Sequence, residues 1–300
     1  MARIAEGIST GGCVGADVIH IGCPKTATTF IARFLESQPE VTIDHHGAIS
    51  SPGSVGPLSA EKPLPTKIHV SRRETLGFSL CVVGDVENWR RNMYVPDAWD
   101  LVKKDIELDP GTSALRLQRS HPNAKILLTV REQVDWLHSA YKYSVPALPA
   151  TGRSFNKFCA TPMGIVYLQA GHFDRTITAY LDVFGTEHFR VLRFEDIVSA
   201  PKRFAAELCA FIGIPERPIP QRRENESNAQ MARLLKWFPI FDLLPRKMKY
   251  ALKPYAERLP AGRSMILSSR EIRMIRSIYA ASNQRTEKLL LQLSRSIGAR

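Results

Sequence analysis

The chain has 300 residues and a formal net charge of +12 at pH 7, from 41 Lys and Arg against 29 Asp and Glu. With 44% hydrophobic and 23% charged residues, its composition is that of a globular protein and excludes an intrinsically disordered chain. Residues 1–216 contain equal numbers of basic and acidic side chains, whereas residues 217–300 contain 18 basic and 6 acidic ones. A basic C-terminal quarter of this kind indicates a polyanion or an anionic surface as partner.

The sequence also excludes several classes of protein. No apolar run approaches the roughly 20 residues that a membrane-spanning helix needs, and the first residues lack the charged and apolar regions of a signal peptide. The five cysteines are odd in number, widely spaced and without a CxxC pair, which argues against a disulfide framework and a structural zinc site. We therefore expect a reduced, cytoplasmic protein.

In chain order, the predicted elements begin with a buried strand over 17–22, a tight loop over 23–27 and a helix over 28–37. Residues 42–70, rich in Gly, Pro, Ser and His, predict a long loop. Further strands are predicted at 80–84, 125–130 and 189–194, and helices at about 132–144, 165–184 and 201–212. Beyond residue 226 the pattern predicts only helices, at 231–237, 241–252 and 269–293.

This alternation of strands and helices predicts an α/β fold with three layers, α/β/α, around a central parallel sheet. We interpret the chain as one domain with three parts. They are an N-terminal tail (1–16), an α/β core that carries the ligand site (17–216), and a basic, all-helical C-terminal extension (217–300).

The first motif is Pro24-Lys25-Thr26-Ala27-Thr28-Thr29, between the first predicted strand and the first helix. This placement presents backbone N–H groups and the positive end of a helix dipole to an anion, while Lys25 adds a cation and the threonines add hydroxyl donors. The Walker A pattern is not met, because no Gly precedes the Lys. The segment predicts a phosphate site, although a Thr-capped helix with a solvated Lys25 fits the same residues.

The second motif starts at Arg131, which leaves the carboxyl end of the strand over 125–130, where ligands of open parallel sheets bind. Ser139 lies eight residues later in the following helix and is able to turn toward the same crevice. The alternative is structural: an Arg131 paired with Glu132 or Asp135, and a Ser139 on an ordinary helix face.

Together the two motifs resemble the sulfotransferases that use 3′-phosphoadenosine-5′-phosphosulfate (PAPS), in their bacterial and carbohydrate-type branches. The segment 24–29 matches the pattern P-K-[ST]-G-T-T at all but one position, and residues 131–141 follow R-N-P-x-D-R-x-x-S-x-Y at Arg131, Asp135, Ser139 and Tyr141. Residues 189–215 resemble the family's later strand, acidic turn and helix, and residues 279–290 resemble its closing helix.

The chain departs from these patterns at several positions. Ala27 replaces the loop Gly, so we expect an ordinary backbone conformation there. Gln133 and Trp136 replace the Pro and Arg of the second motif, which removes one expected cationic contact.

The resemblance implies a P-loop-like fold, PAPS as co-substrate and no metal requirement. It further implies that the loop from Pro24 to Thr29 holds the 5′-phosphosulfate, while Arg131 and Ser139 hold the 3′-phosphate. Lys25, near the bridging oxygen, would then stabilise the leaving group, because sulfuryl transfer by in-line displacement depends on positioning and electrostatics.

The acceptor hydroxyl must lose a proton, which requires a general base with a pKa near 7. The resemblance implies a Glu after an H-P-x-V turn, yet the matching turn over 38–41 is followed here by Asp44, His45 and His46. We predict His46, and after it His45, as the catalytic base, since imidazole has the best-matched ordinary pKa. Asp44 is an orienting or substitute group, Asp85 and Glu87 are competing carboxylates, and surface histidines in a loop are the structural alternative.

The predicted function is transfer of a sulfuryl group to a hydroxyl, or secondarily an amine, of a carbohydrate or glycolipid-like acceptor. One alternative is a P-loop kinase, which needs a Walker-type Lys and a magnesium-binding Asp. Another is a basic, non-catalytic module that binds membranes or nucleic acid; the neutral residues 1–216 argue against it, so we expect no nucleic acid.

Residues 229–260 interleave basic with apolar side chains. This pattern suits packing on the core, peripheral contact with an anionic membrane at its inner face, or contact with an acidic glycan.

Overall fold

The computed structural model describes residues 17–45, 67–72, 80–82, 84–144, 154–219, 248 and 266–298. Its central sheet has five parallel strands, β1 (Val18–His20), β2 (Val41–His45), β3 (Ile68–Arg72), β6 (Lys125–Val130) and β7 (Phe189–Arg193). Their order is β2-β3-β1-β6-β7. Two short strands, β4 (Leu80–Val82) and β5 (Ile106–Leu108), form a separate antiparallel pair.

The helices surround this sheet in chain order. They are α1 (Thr28–Glu36), α2 (Val86–Asn92), α3 (Trp99–Val102), α4 (Pro110–Ser120), α5 (Gln133–Ser144), α6 (Phe155–Cys159), α7 (Pro162–Ala170), α8 (Phe173–His188), α9 (Asp196–Ser199), α10 (Pro201–Ile212) and α11 (Ser269–Gly298). A short 3-10 helix, Lys103–Asp105, follows α3, and α8 is kinked at Gly185.

Each face of the sheet carries its own hydrophobic core, which confirms the predicted three layers. In β6, Ile126 and Leu128 point to the core shared with α4, α5, α8 and α11, whereas Leu127 points to the core shared with α1 and α10. Because side chains alternate across a strand and both faces are covered, β6 has consecutive apolar residues from Ile126 to Leu128 rather than an alternation of apolar and polar ones.

The predicted long loop over 42–70 is wrong at both ends, since residues 41–45 form β2 and residues 68–72 form β3. Among the described strands, β2 lies at the edge of the sheet and pairs with β3 alone. In β3, only Val70 and Ser71 are buried. Neither segment therefore has the apolar run by which the more central strands were recognised.

The predicted strand over 80–84 is present as β4, but outside the parallel sheet. The helix predicted over 165–184 is two helices, α7 and α8, which separate at Gly171 and His172. Gly171 lies against Tyr279 of α11: a Cβ at position 171 would be 2.6 Å from the tyrosine ring. The absence of a side chain at Gly171 therefore permits the close approach of α11 at this break. The helices predicted at 231–237 and 241–252 lie outside the described residues, Met248 excepted.

The helix predicted over 269–293 is confirmed as α11, which packs on α5 and α8. The Tyr279 hydroxyl donates to the Leu168 carbonyl (2.8 Å), and Ser282 and Arg285 both donate to Asp174. These contacts attach the C-terminal helix to the α/β core. No helix in the described part of the chain is both long and apolar enough to cross a membrane.

The order of the strands determines where a ligand site can form. From β1 the chain moves to β2 and β3 on one side of the sheet, and it returns to the other side of β1 as β6. The connections that leave the carboxyl ends of β1 and β6 therefore diverge, α1 to one face and α5 to the other. Such a topological switch point leaves a crevice in which α/β proteins bind ligands.

Candidate active site

The loop after β1 enters this crevice with two residues in the left-handed backbone region. Lys25 has φ 74° and Ala27 has φ 67°, while Thr26 between them does not have a positive φ. Such alternation turns successive N–H groups toward one side and forms an anion-binding concavity. The expectation of an ordinary conformation at Ala27 is wrong, because the loop keeps the glycine-type turn with an alanine in it.

A buried chain of hydrogen bonds supports the loop from below. The Thr26 hydroxyl donates to the Cys23 carbonyl (2.6 Å), the Thr129 and Thr26 hydroxyl oxygens are 2.8 Å apart, and His20 Nε2 is 3.1 Å from the Thr129 hydroxyl. Because a hydroxyl has one proton and that of Thr26 goes to Cys23, Thr129 must donate to Thr26. His20 Nε2 must therefore carry a proton and donate to Thr129.

Burial and these hydrogen bonds determine the charge of His20 and the orientation of the Thr26 hydroxyl. Burial, with a further contribution from Arg72, lowers the pKa of His20 to about 3, so the imidazole is neutral. The Thr26 side chain is fully buried and directed into the protein. The hydroxyl of Thr26 is therefore turned away from the crevice, contrary to its expected role as a donor to the ligand, and supports the loop instead.

Gly22 is required by the same chain of contacts. A Cβ at this position would lie 2.1 Å from the Thr129 hydroxyl oxygen and 2.8 Å from His20 Nε2. Because both atoms belong to buried side chains, neither can move away freely. Glycine at position 22 therefore allows the loop to approach β6 more closely than any other residue at that position would permit.

The second motif holds the loop from the other side of the crevice. Arg131 Nη1 donates to the Lys25 carbonyl (3.2 Å), and Trp136 Nε1 donates to the Pro24 carbonyl (2.8 Å). The structure thus brings together the two segments that the sequence predicted at one site. Trp136, where the family pattern has a cation, fixes the loop main chain.

Arg131 remains suited to bind an anion. Its guanidinium lies over the Phe194 ring, 4.2 Å from the ring centroid, and its Nε is buried without a hydrogen-bond partner among the described residues. Burial lowers the pKa of Arg131, and the opposing effects of Asp135 and nearby glutamates are weaker. Among the described residues, no carboxylate forms a hydrogen bond or ion pair with Arg131, so the predicted structural alternative of a pairing with Glu132 or Asp135 is not observed.

The helix α5 presents Ser139 and Lys142 one turn apart. Ser139 is half-buried and lies one turn after Trp136, on the side of the helix that contacts the loop. Lys142 is also half-buried, and burial, followed by repulsion from Arg131, lowers its pKa, while Asp135 opposes that shift. Sequence reasoning missed Lys142, although its three-residue spacing from Ser139 was available as a signal.

Thr28 and Thr29 form the first turn of α1, whose N-terminus faces the crevice; Thr28 is buried and Thr29 half-buried. The first N–H groups of a helix have no acceptor within that helix and carry a partial positive charge. The main chain of these two residues is accordingly placed to bind an anion.

The candidate catalytic bases differ in their location and in their structural partners. His45 ends β2 opposite Arg72 of β3, and so lies at the same carboxyl edge as the loop, whereas His46 is outside the described residues. Asp85 caps α2 by accepting from two backbone N–H groups, and Glu87 forms an exposed ion pair with Arg90 (2.8 Å). Both competing carboxylates therefore have structural partners.

Within the described ranges, no group of three or more His, Cys, Asp or Glu is placed to hold a metal ion. Of the positions implied by the two motifs, the structure brings the loop and Arg131 into direct contact, and Ser139 lies one turn of α5 after Trp136, which also contacts the loop.

Comparison with known proteins gives a family. The sulfotransferase domain model matches residues 16–234, and no curated protein sequence matches the chain. Similar solved structures include a sulfotransferase from Alicyclobacillus acidocaldarius, with 19% identity over 75% of this chain and 92% of that one and a TM-score of 0.45.

Two further solved structures are similar to this chain. The mouse sulfotransferase SULT7A1 complexed with PAP has 12% identity over 95% of this chain and 89% of that one, with a TM-score of 0.46. STF9 from Mycobacterium avium has 12% identity over 89% of this chain and 76% of that one, with a TM-score of 0.40. At such low identity, no residue role is transferred from them.

Proposed function

Because this chain belongs to the sulfotransferase domain family, we propose that it transfers the sulfuryl group of PAPS to a hydroxyl of a carbohydrate or glycolipid-like acceptor. The family match over residues 16–234 supports sulfuryl transfer in general. The observation that carries the proposal is the contact between the two motifs at the switch point, where Arg131 donates to the Lys25 carbonyl at 3.2 Å.

The residues of the crevice fit a nucleotide with two separate anionic groups. The positive-φ conformations of Lys25 and Ala27 shape the loop main chain as one anion site. Arg131, whose Nε has no hydrogen-bond partner among the described residues, would supply a second, together with Ser139 of α5. PAPS, when bound, supplies a sulfuryl group on a phosphate leaving group.

The chain's own contribution to the transfer is electrostatic and positional. Lys25 would stabilise charge on the leaving phosphate oxygen as the bond from sulfur to that oxygen breaks and the bond to the acceptor oxygen forms. The acceptor proton would pass to His46, or to His45 at the end of β2. A pH–rate profile that is unchanged in His46→Ala and altered in Glu87→Gln would overturn this assignment of the base.

The deciding experiment measures PAPS-dependent sulfate transfer to a panel of sugars, glycolipids and phenols, with and without magnesium. In Lys25→Ala we expect a loss of transfer activity of at least about 100-fold, as for removal of one preorganised hydrogen-bond donor from an oxyanion hole. Lys103→Ala is a matched control, because Lys103 is an exposed lysine paired with Asp100. Near-normal turnover of Lys25→Ala would refute the role of Lys25.

Replacement of Arg131 tests binding of the sulfuryl donor independently of the transfer step. Arg131→Gln should weaken binding of PAP, the desulfated nucleotide, by about 10- to 100-fold, since hydrogen bonds to charged groups are worth about 1.5–3 kcal/mol. Calorimetric titration measures this change directly. Unchanged affinity would remove Arg131 from the donor site.

The same panel tests the alternatives. Magnesium-dependent phosphoryl transfer from ATP would favour a kinase, and salt-sensitive binding to generic DNA without PAP binding would favour a basic binding module. We also propose that the enzyme is cytoplasmic and lies at the inner face of a membrane. This proposal is based on the charge pattern of residues 229–260. Co-sedimentation with anionic vesicles at low and moderate salt tests that location, and absence of binding would contradict it.

A further inference from the structure

The side chain of Lys25 has its own contact, separate from those of the loop backbone. The loop main chain is held by Arg131 and Trp136, which donate to the carbonyls of Lys25 and Pro24. Beyond the Cα atom, the lysine chain extends to the ring of Tyr143, and Nζ lies 3.9 Å from the ring centroid. A lysine cation at this distance from an aromatic face is attracted by the ring.

The position of Tyr143 follows from the geometry of α5. Trp136, Ser139 and Tyr143 are spaced by three and four residues, so they share one face of the helix. Trp136 in the first turns reaches the loop backbone, and Tyr143, about 10 Å further along the axis, reaches the lysine of the same loop. One helix face therefore contacts the loop twice.

Tyr143 is only partly buried and is not one of the core aromatic residues of α5. Its neighbour Tyr141 is 5% exposed and packs edge-on and tilted against Phe155 and Phe158 in the core, whereas Tyr143 is 44% exposed. The ring of Tyr143 is therefore less buried than that of Tyr141, and it lies against the ammonium group of Lys25.

We infer that Tyr143 is a positioning residue for Lys25, an inference that rests on the proposed role of Lys25 in sulfuryl transfer. A lysine side chain has four rotatable bonds and loses considerable entropy when its ammonium group is fixed. The Tyr143 ring restricts these conformers before the donor binds and keeps the ammonium beside the loop. A charge that is already in place stabilises the transition state without further reorganisation.

The kinetic test compares Tyr143→Leu, which removes the aromatic face, with Tyr143→Phe, which keeps it. With the acceptor found in the panel, Tyr143→Leu should lower kcat about two- to fivefold, the factor that corresponds to a partly exposed cation–π contact, and change the KM for PAPS less. Tyr143→Phe should stay within about twofold of wild type. In a Lys25→Ala background, Tyr143→Leu should cause no further loss.

Three kinetic results would overturn the inference. They are an unaffected kcat in Tyr143→Leu, an equal loss in Tyr143→Phe, and a full additional loss from Tyr143→Leu in the Lys25→Ala background. Thermal unfolding of each variant shows whether the fold is retained.

A spectroscopic test needs no acceptor. The ε-methylene protons of Lys25, identified by their loss in Lys25→Ala, should show an upfield ring-current shift in wild type and Tyr143→Phe but not in Tyr143→Leu. The same shift in Tyr143→Leu, or none in wild type, would refute the contact. If the wild type transfers no sulfuryl group, the proposed function fails while this measurement still decides the contact. If Lys25→Ala abolishes transfer but Tyr143→Leu does not affect it, only the positioning role fails.

Discussion

Ala27 offers a direct test of the loop geometry, because it adopts a backbone conformation that favours glycine. At φ 67° and ψ 19°, its Cβ crowds the following carbonyl oxygen, which costs about 1–2 kcal/mol. Ala27→Gly removes this strain, while the greater freedom of glycine in the unfolded chain offsets about 0.4–1 kcal/mol of the gain. The expected result is a net stabilisation of about 1 kcal/mol, or about 2 °C in Tm for a chain of this size.

Denaturant unfolding of Ala27→Gly and Ala32→Gly measures this effect with an internal control. Ala32 lies in the middle of α1 and is buried, so glycine should destabilise there by about 1 kcal/mol from helix propensity alone. The same chemical change, five positions apart, is thus expected to have opposite signs. Destabilisation of similar size in both variants would show that Ala27 is not left-handed in solution.

The buried network below the loop gives three further predictions. Thr129→Val should destabilise the fold by about 1–3 kcal/mol, because it leaves the His20 N–H without an acceptor; it should also weaken PAP binding, whereas Thr129→Ser should preserve affinity in calorimetry. Gly22→Ala should cost about 1–3 kcal/mol through overpacking against Thr129, measured by the denaturant midpoint, and an unchanged midpoint would contradict the close approach. The stability provided by neutral His20 should be complete above pH 6.5 and fall as the pH is lowered from 6.5 toward 3, by up to about 1.4 kcal/mol per pH unit, because only the unfolded state then binds the proton. His20→Gln cannot titrate, so parallel pH profiles of wild type and this variant would refute the buried, neutral histidine.

The sequence predicted the main features of the site because local patterns encode them. A strand, a tight loop and a helix in succession place the loop from Pro24 to Thr29 at the carboxyl edge of a sheet. Arg131 follows another strand of the same sheet, and parallel strands end at the same edge. In the structure Arg131 donates to the Lys25 carbonyl, so the two motifs are in direct contact.

The sequence predicted less well where a structural role depends on partners far along the chain. β2 and β3 were missed since an edge strand and its neighbour need only short apolar segments. Lys142 was missed because its position near Arg131 follows from the way α5 packs beside the loop. Tyr143 looked like its neighbour Tyr141 in the sequence, and only the structure separates a core aromatic residue from one that contacts a cation.

By itself, the sequence determined the fold class, the neutral charge balance of residues 1–216 and the two motifs that bound the crevice. Only the tertiary structure decided the left-handed conformations of Lys25 and Ala27 and the inward orientation of the Thr26 hydroxyl. The physical reason is that these features depend on hydrogen bonds between residues more than a hundred positions apart, such as Thr26 with Thr129 and Lys25 with Arg131. Local propensity would give an alanine an ordinary backbone, and these distant contacts override it.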